Sequence, residues 1–222
     1  DEATGRPTGR NVLHLPRPLA EAAEGMDLAT AGDRLESILR HLAHARAGRS
    51  APALDEKVIV AWNGLLLSAF AAVGSVLADP EVLEEGRRLA AWILSACRGA
   101  SGALLRFPAA SGAEIVGFAE DHVHLAEGLL DLSQATGEGA WAAAARDLAD
   151  RLLERFEDRA AGGFWSTAEG WHESLFAREK GVFDDPIPSD NGSAARLLLR
   201  LAAQTGDPRY REAADRTLAT FR

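Results

Sequence analysis

Apolar residues recur at helical spacing along nearly the whole chain. Leu35, Ile38, Leu39 and Leu42 form one i, i+3, i+4, i+7 stripe. Further stripes run through Leu66–Phe70–Val73–Leu77, Leu89–Ile93–Cys97, Leu125–Leu129–Leu132, Leu148–Leu152–Phe156, Leu197–Leu198–Leu201 and Ala214–Leu218–Phe221, so the pattern predicts seven helices. Thr136-Gly137-Glu138 and Thr205-Gly206-Asp207 each stop a helix on glycine and restart the next on an acid. Asp79-Pro80 reads as an N-cap followed by proline at the first helical position.

These breaks are in register. Leu130, Leu132, Thr136, Gly137, Trp141, Ala144 and Ala145 map onto Leu199, Leu201, Thr205, Gly206, Tyr210, Ala213 and Ala214 at a constant offset of 69. An offset of 59 maps Asp79 onto Glu138 more weakly. The unit is an antiparallel helix pair followed by a glycine-rich, aromatic connector, and residues 99–117 and 158–188 hold the connectors. Gly162 to Thr167 is β-prone, which predicts small hairpins there. Repeats of this kind suit an all-α fold, a partial α/α toroid in which inner helices form a ring and outer helices a jacket. The chain is read as one such domain, with a linker-like lead-in over 1–28 and helical hairpins over 29–222. Asp1 at the start, and a helical period that still runs at Leu218 and Phe221, lead us to expect a piece of a longer protein.

The register makes Asn63, His122 and Asn191 equivalent, preceded by Trp62, Asp121 and Asp190. Each cluster opens an inner helix. In a toroid those helix starts gather at one rim with their free N–H groups and dipoles aligned, which makes the rim the expected ligand site. Plainer roles compete there. Ser189 or Asp190 also reads as a cap, and Asp55-Glu56 as first-turn acids. Glu120-Asp121-His122-Val123-His124 brings two carboxylates and two imidazoles to one turn. Side chains at i and i+2 diverge on a helix, so His122 and His124 are not expected to share a metal. His41 and His44 share a face among Arg40, Arg46 and Arg49, which reads as solvated surface. Trp92 and Trp141 fall on apolar stripes and are expected in the core. Trp62, Trp165, Trp171, Phe164 and Phe107 fall at helix starts or in connectors, where stacking on a sugar and packing of the connectors are both open.

Composition narrows the partners. Lys+Arg number 24 against 33 Asp+Glu, a formal net charge of −9. An acidic surface repels phosphate backbones, so no nucleic-acid partner is expected. With 47% hydrophobic residues the chain can build a core. The single Cys97 excludes an internal disulfide and a Cys-rich zinc site, and its place in an apolar stripe predicts a buried, inert thiol. Neither a metal-ligand set nor a cofactor motif is read, so metal and cofactor are both expected to be none. No apolar run approaches the length of a membrane span, and the chain reads as soluble and cytoplasmic without a membrane partner.

Several segments together resemble one family. They are Asn11-Val12-Leu13-His14-Leu15, Leu54-Asp55-Glu56-Lys57 running into Ala61-Trp62-Asn63-Gly64-Leu65, and Phe118-Ala119-Glu120-Asp121 with Glu127-Gly128-Leu129-Leu130-Asp131-Leu132. Gly162-Gly163-Phe164-Trp165 and Asp184 with Pro188-Ser189-Asp190-Asn191 complete the set. In these the chain resembles the YyaL-like, spermatogenesis-associated thioredoxin-like protein family. The resemblance implies a C-terminal six-hairpin α/α barrel similar to those of N-acylglucosamine 2-epimerases and six-hairpin glycosidases. It also implies an N-terminal thioredoxin-like domain as a partner upstream of Asp1. The chain departs from the family pattern at Glu56, at His122 where an aromatic is usual, and at Asp190-Asn191-Gly192 where the family usually has Gly-Asn-Ser.

For chemistry at the rim, glycoside hydrolysis needs two carboxyl groups across one cleft. Asp121 is the expected acid or base, with Asp184 as its partner and Asp190 as the other candidate. Sugar epimerisation needs two proton-transfer groups, for which His124 or His122 is one candidate and His172 the only nearby second. The expected catalytic set is therefore Asp121, Asp184 and His124. The expected binding set is Trp62, Asn63, Glu120, His122, Asp190, Asn191 and Trp165. The reading placed first is a carbohydrate-related binding or scaffold role, in which the same residues tie helix starts to connectors. Water-accessible Asp121 favours catalysis and Asp121 sealed by backbone donors favours architecture. Self-association through exposed apolar helix faces is also expected.

Overall fold

The structure is a computed structural model. It describes residues 14, 15, 17–23, 25–108, 114–170 and 177–222. His172, Trp171 and Asn11 to Leu13 lie outside the described residues. Eight helices are found among the described residues: α1 (Leu19–Ala22), α2 (Leu28–Ala47), α3 (Val60–Val76), α4 (Pro80–Ala96), α5 (Ala119–Thr136), α6 (Gly139–Arg155), α7 (Asp190–Thr205) and α8 (Pro208–Thr220). They fall into two compact units, 1–55 with α1 and α2, and 56–222 with the rest.

In the first unit Asp27 caps α2 by accepting from the Thr30 N–H. His41 and His44 lie on its exposed surface, as read from their arginine neighbours.

In the second unit three antiparallel hairpins, α3–α4, α5–α6 and α7–α8, stand side by side. Helices α3, α5 and α7 form the inner row, with α5 packed between the other two, and α4, α6 and α8 stand behind. The outer helices are amphipathic and bury one stripe each, such as Gly86, Ala90 and Ile93 on α4 or Ala145, Leu148, Ala149 and Leu152 on α6. Helix α5 is instead buried over every residue from Asp121 to Leu130, because protein covers it on all sides. Trp92 differs from expectation: it is 41% exposed. It sits one residue before Ile93, about 100° round the helix from the stripe that α4 buries. Trp141 is half-buried and donates from Nε1 to Glu138. Cys97 is buried and free, and burial pushes its thiol up to about 11.

The repeat register reappears as paired geometry. Thr136 and Thr205 each bond back to the carbonyl four residues earlier, both at 2.8 Å. Gly137 and Gly206 follow at φ 74° and 71°, the left-handed conformation that glycine adopts without strain. The residue after each glycine donates its N–H to the threonine hydroxyl, and Asp79 and Asp207 cap α4 and α8 with proline at the first turn. The connectors carry isolated antiparallel bridges, Arg98 with Leu104, Leu105 with Val116 and Glu157 with Phe164.

Helices α3 and α5 cross with their backbones close together at two glycines. A Cβ on Gly64 would lie 2.5 Å from the Leu125 nitrogen and as tightly on the His124 carbonyl. A Cβ on Gly128 would strike the Gly64 carbonyl oxygen and come within 3.0 Å of Leu67 Cβ. At its opposite face α3 leaves an apolar row exposed, with Trp62 55%, Val76 82% and Leu77 68% accessible.

Candidate functional site

The starts of α3, α5 and α7 are tied together by side chains near the predicted rim. Asp121 lies in the first turn of α5 and is fully buried. Its Oδ2 accepts from the Phe118 N–H at 2.8 Å, closing the first turn of its own helix. Its Oδ1 accepts from the Ala61 N–H at 2.9 Å, so the same carboxyl also caps α3. Arg106, from the connector before α5, stands 3.3 Å from Oδ2. Burial pushes the Asp121 carboxyl up to about 6, against the pull of Arg106 and of the two N–H donors.

Asn63 and His122, equivalent in the repeat, do the same job. Asn63 Nδ2 donates to the Ile59 carbonyl at 2.8 Å, and His122 Nδ1 lies 2.9 Å from the Phe118 carbonyl, in each case the N-cap residue four back. The His122 ring then packs on Phe156, the C-cap residue of α6, with centroids 4.9 Å apart. It faces the outer layer rather than the rim, beside a cleft of about 180 Å³ that also meets Arg151 and Arg155.

Asn191 fastens the connector. Its Oδ1 accepts from the Phe164 N–H at 2.7 Å, and its Nδ2 donates to the Phe164 and Gly181 carbonyls at 3.0 and 2.9 Å. Ser189, not Asp190, caps α7, through the Gly192 N–H. Asp184 is exposed and accepts from the Ser189 N–H at 2.9 Å, holding the turn before α7. Trp165 is half-buried, with Lys180 4.5 Å and Arg178 5.1 Å from its ring. Trp62 faces solvent on α3.

A cleft of about 330 Å³ opens between the starts of α5 and α7. Arg106, Glu120, Ser166, Glu179, Asp185 and Asp190 supply its polar lining, beside Phe118 and Phe183. Arg106 holds Glu120 at 2.6 Å and lies over the Phe118 ring. Asp190 is buried and accepts from the Ser166 hydroxyl at 3.0 Å. Burial raises its pKa, with the Glu120 charge adding in the same direction, against the bonds from Ser166 and Asn191. Of the residues expected at the site, the structure brings Glu120 and Asp190 to this cleft. Asp121, Asp184, Asn63, Asn191, His122, Trp62 and Trp165 do not line it, and His124 is buried below. Arg106, Ser166, Glu179 and Asp185 line the cleft but escape the repeat register, because connectors between the hairpins supply them.

Neutral His122 makes acid stability testable. Burial brings its pKa down to about 4 from an ordinary value of 6.5, and Arg151 and Arg98 act in the same direction. Below 6.5 the unfolded chain takes up a proton that the folded ring refuses, so this contribution is lost as pH falls towards 4. Asp121 works in the opposite sense. Its folded carboxyl keeps a proton up to about 6 that the unfolded one releases near 3.8, so the fold loses stability as pH rises between them. The two oppose each other in the same window. The variant His122→Phe is expected to gain about 2 kcal/mol on wild type between pH 7 and pH 5. Urea denaturation at the two pH values measures it, and a pH-independent difference would refute the assignment.

Helix order and pairing define the class: an α/α toroid segment of the six-hairpin glycosidase type. A GH76 α-mannanase of Bacteroides thetaiotaomicron superposes with a TM-score of 0.58 at 17% identity, over 76% of this chain and 46% of that one. The cellobiose 2-epimerase of Spirochaeta thermophila gives 0.57 at 18% identity, over 74% and 43%. In sequence the chain is homologous to the human Spermatogenesis-associated protein 20, with 33% identity over 213 residues, 91% of this chain. The chain spans 27% of that relative's length. No family model matches the chain.

Proposed function

We propose that this segment is a carbohydrate-binding scaffold whose site is the cleft between the starts of α5 and α7. The observation that carries the reading is the polar lining of that cleft: Glu120, Glu179 and Asp190 offer acceptors, and Arg106 and Ser166 offer donors. Carboxylates and a guanidinium held by neighbours suit the vicinal hydroxyls of a sugar, which need donors and acceptors in fixed directions. The fold is shared with proteins described as an α-mannanase and a cellobiose 2-epimerase, which supports a saccharide as the ligand class. Asp121 takes the architectural role, since its oxygens are occupied by N–H donors from two helices.

One observation favours a hydrolytic second reading: Glu120 and Asp190 line the same cleft, and burial favours the protonated form of Asp190. One carboxyl would then serve as acid and the other as base or nucleophile.

Ligand-observed NMR with D-mannose, cellobiose and α-1,6-mannobiose tests both. Saturation transfer to at least one of these sugars, weakened at least tenfold in apparent affinity by Glu120→Gln, is the expected result. New anomeric signals over time would select hydrolysis or isomerisation. A folded sample showing no transfer to any of them would overturn the binding reading.

A further inference from the structure

One helical turn beneath the cleft lies a group of polar atoms that neither the helix ties nor the cleft uses. His124 is fully buried, and neither ring nitrogen has a hydrogen-bond partner within the protein. Ser193 is 2% exposed, and its hydroxyl likewise has none. The nearest ionisable oxygen to His124 is Glu127 Oε2, 3.9 Å from Nδ1 and beyond direct bonding. Glu127 is itself spanned by Arg196 at 2.6 and 2.7 Å.

The repeat register relates these groups. Glu127–Arg196 and Asp131–Arg200 are direct ion pairs between α5 and α7, and both span 69 residues. Both helices start at the same rim, so a constant offset joins residues at one level. His124 and Ser193 are also 69 apart, which puts them at the next level towards the rim. Glu120 and Asp190, the cleft acids, stand one turn above on the same two helices.

We propose that His124 and Ser193 form an internal polar site beneath the cleft that holds a hydroxyl oxygen, able to donate to one ring nitrogen or the serine and accept from the other. It extends the carbohydrate reading, with that oxygen supplied by a trapped water or by a sugar hydroxyl reaching down from the cleft. Buried polar groups left without partners are strongly disfavoured, and an oxygen with both donor and acceptor capacity satisfies an imidazole and a hydroxyl together. The ladder explains why the group sits at this level. The ion pairs below hold α5 against α7 in this register, and His124 and Ser193 occupy the next level of it.

The test uses ring-proton and ring-nitrogen NMR of the whole chain, with the His124 signals assigned through His124→Gln, or by through-bond transfer if that variant does not fold. The expected result is a water cross-peak to the His124 ring protons of the sugar-free protein, together with ring-nitrogen shifts of a hydrogen-bonded imidazole. Ser193→Ala is expected to move those nitrogen signals, because the shared oxygen loses one of its partners. If D-mannose or cellobiose removes the water cross-peak while shifting the nitrogens, the oxygen comes from the sugar. If the cross-peak persists with no sugar bound, the water source stands and only the carbohydrate reading fails. A ring with no water contact and no response to either sugar or to Ser193→Ala overturns the proposal.

Discussion

Gly64→Ala is expected to destabilise the second unit by about 3 kcal/mol or more, although alanine is the better helix former by roughly 1 kcal/mol. The sign is decided by what the new methyl group meets. It would strike the backbone of His124 and Leu125, which belongs to a helix buried on all sides and cannot step back. Gly128→Ala is expected to cost a similar amount, since its Cβ would strike the Gly64 carbonyl from the other helix. The double variant should cost clearly less than the sum, because once α3 and α5 have separated the second methyl group has room. Gly86→Ala provides the contrast. Its Cβ would meet the end of the Leu132 side chain at 3.2 Å, which can give way, so the change should stay within about 1 kcal/mol. Thermal melts resolve these differences, at about 2–4 °C per kcal/mol for a domain of this size. A Gly64→Ala protein as stable as wild type would mean that the two helices do not cross this closely.

Asp121→Ala is the second large effect, with an expected loss of about 3–5 kcal/mol. The change leaves the Ala61 N–H buried without its acceptor, removes the bond that closes the first turn of α5 at the Phe118 N–H, and takes one of the two carboxylates from Arg106. Removing a cap alone would cost about 1 kcal/mol, and the excess reports that this carboxyl joins two helices. Amide hydrogen exchange locates the damage. Protection should fall at Ala61 and Phe118 before it falls in the middle of α5. An Asp121→Ala protein that keeps its stability but loses a sugar response would overturn the architectural role and return Asp121 to the site chemistry.

If the chain self-associates, light scattering across concentrations should show its mass rising, and a strictly monomeric chain would count against the expectation. Trp62 and Val76 on α3 and Leu77 at its C-cap are the most accessible apolar side chains of that helix.

The pattern of apolar positions determined by itself seven of the eight helices found among the described residues, and it missed the four-residue α1, which is too short to show a helical period. The offset of 69 determined which residues correspond, and the threonine–glycine stops reproduce it atom for atom. The weaker offset of 59 carried the equivalence of Asn63 with His122, because both reach the carbonyl of their own N-cap, an interaction four residues long that local sequence encodes. What the tertiary structure alone decided is which rim residues face a cavity. Asp121 and Glu120 are adjacent in sequence, yet about 100° of helix rotation sends one into the joint with α3 and the other to the cleft. Asp184, paired with Asp121 by position, is drawn instead to the Ser189 N–H in the turn before α7. Arg106, Ser166 and Glu179 reach the site from connectors, whose paths depend on contacts such as Asn191 with Phe164 and Gly181. Periodicity is a property of one helix at a time, whereas a cleft is made by the space that several elements leave between them.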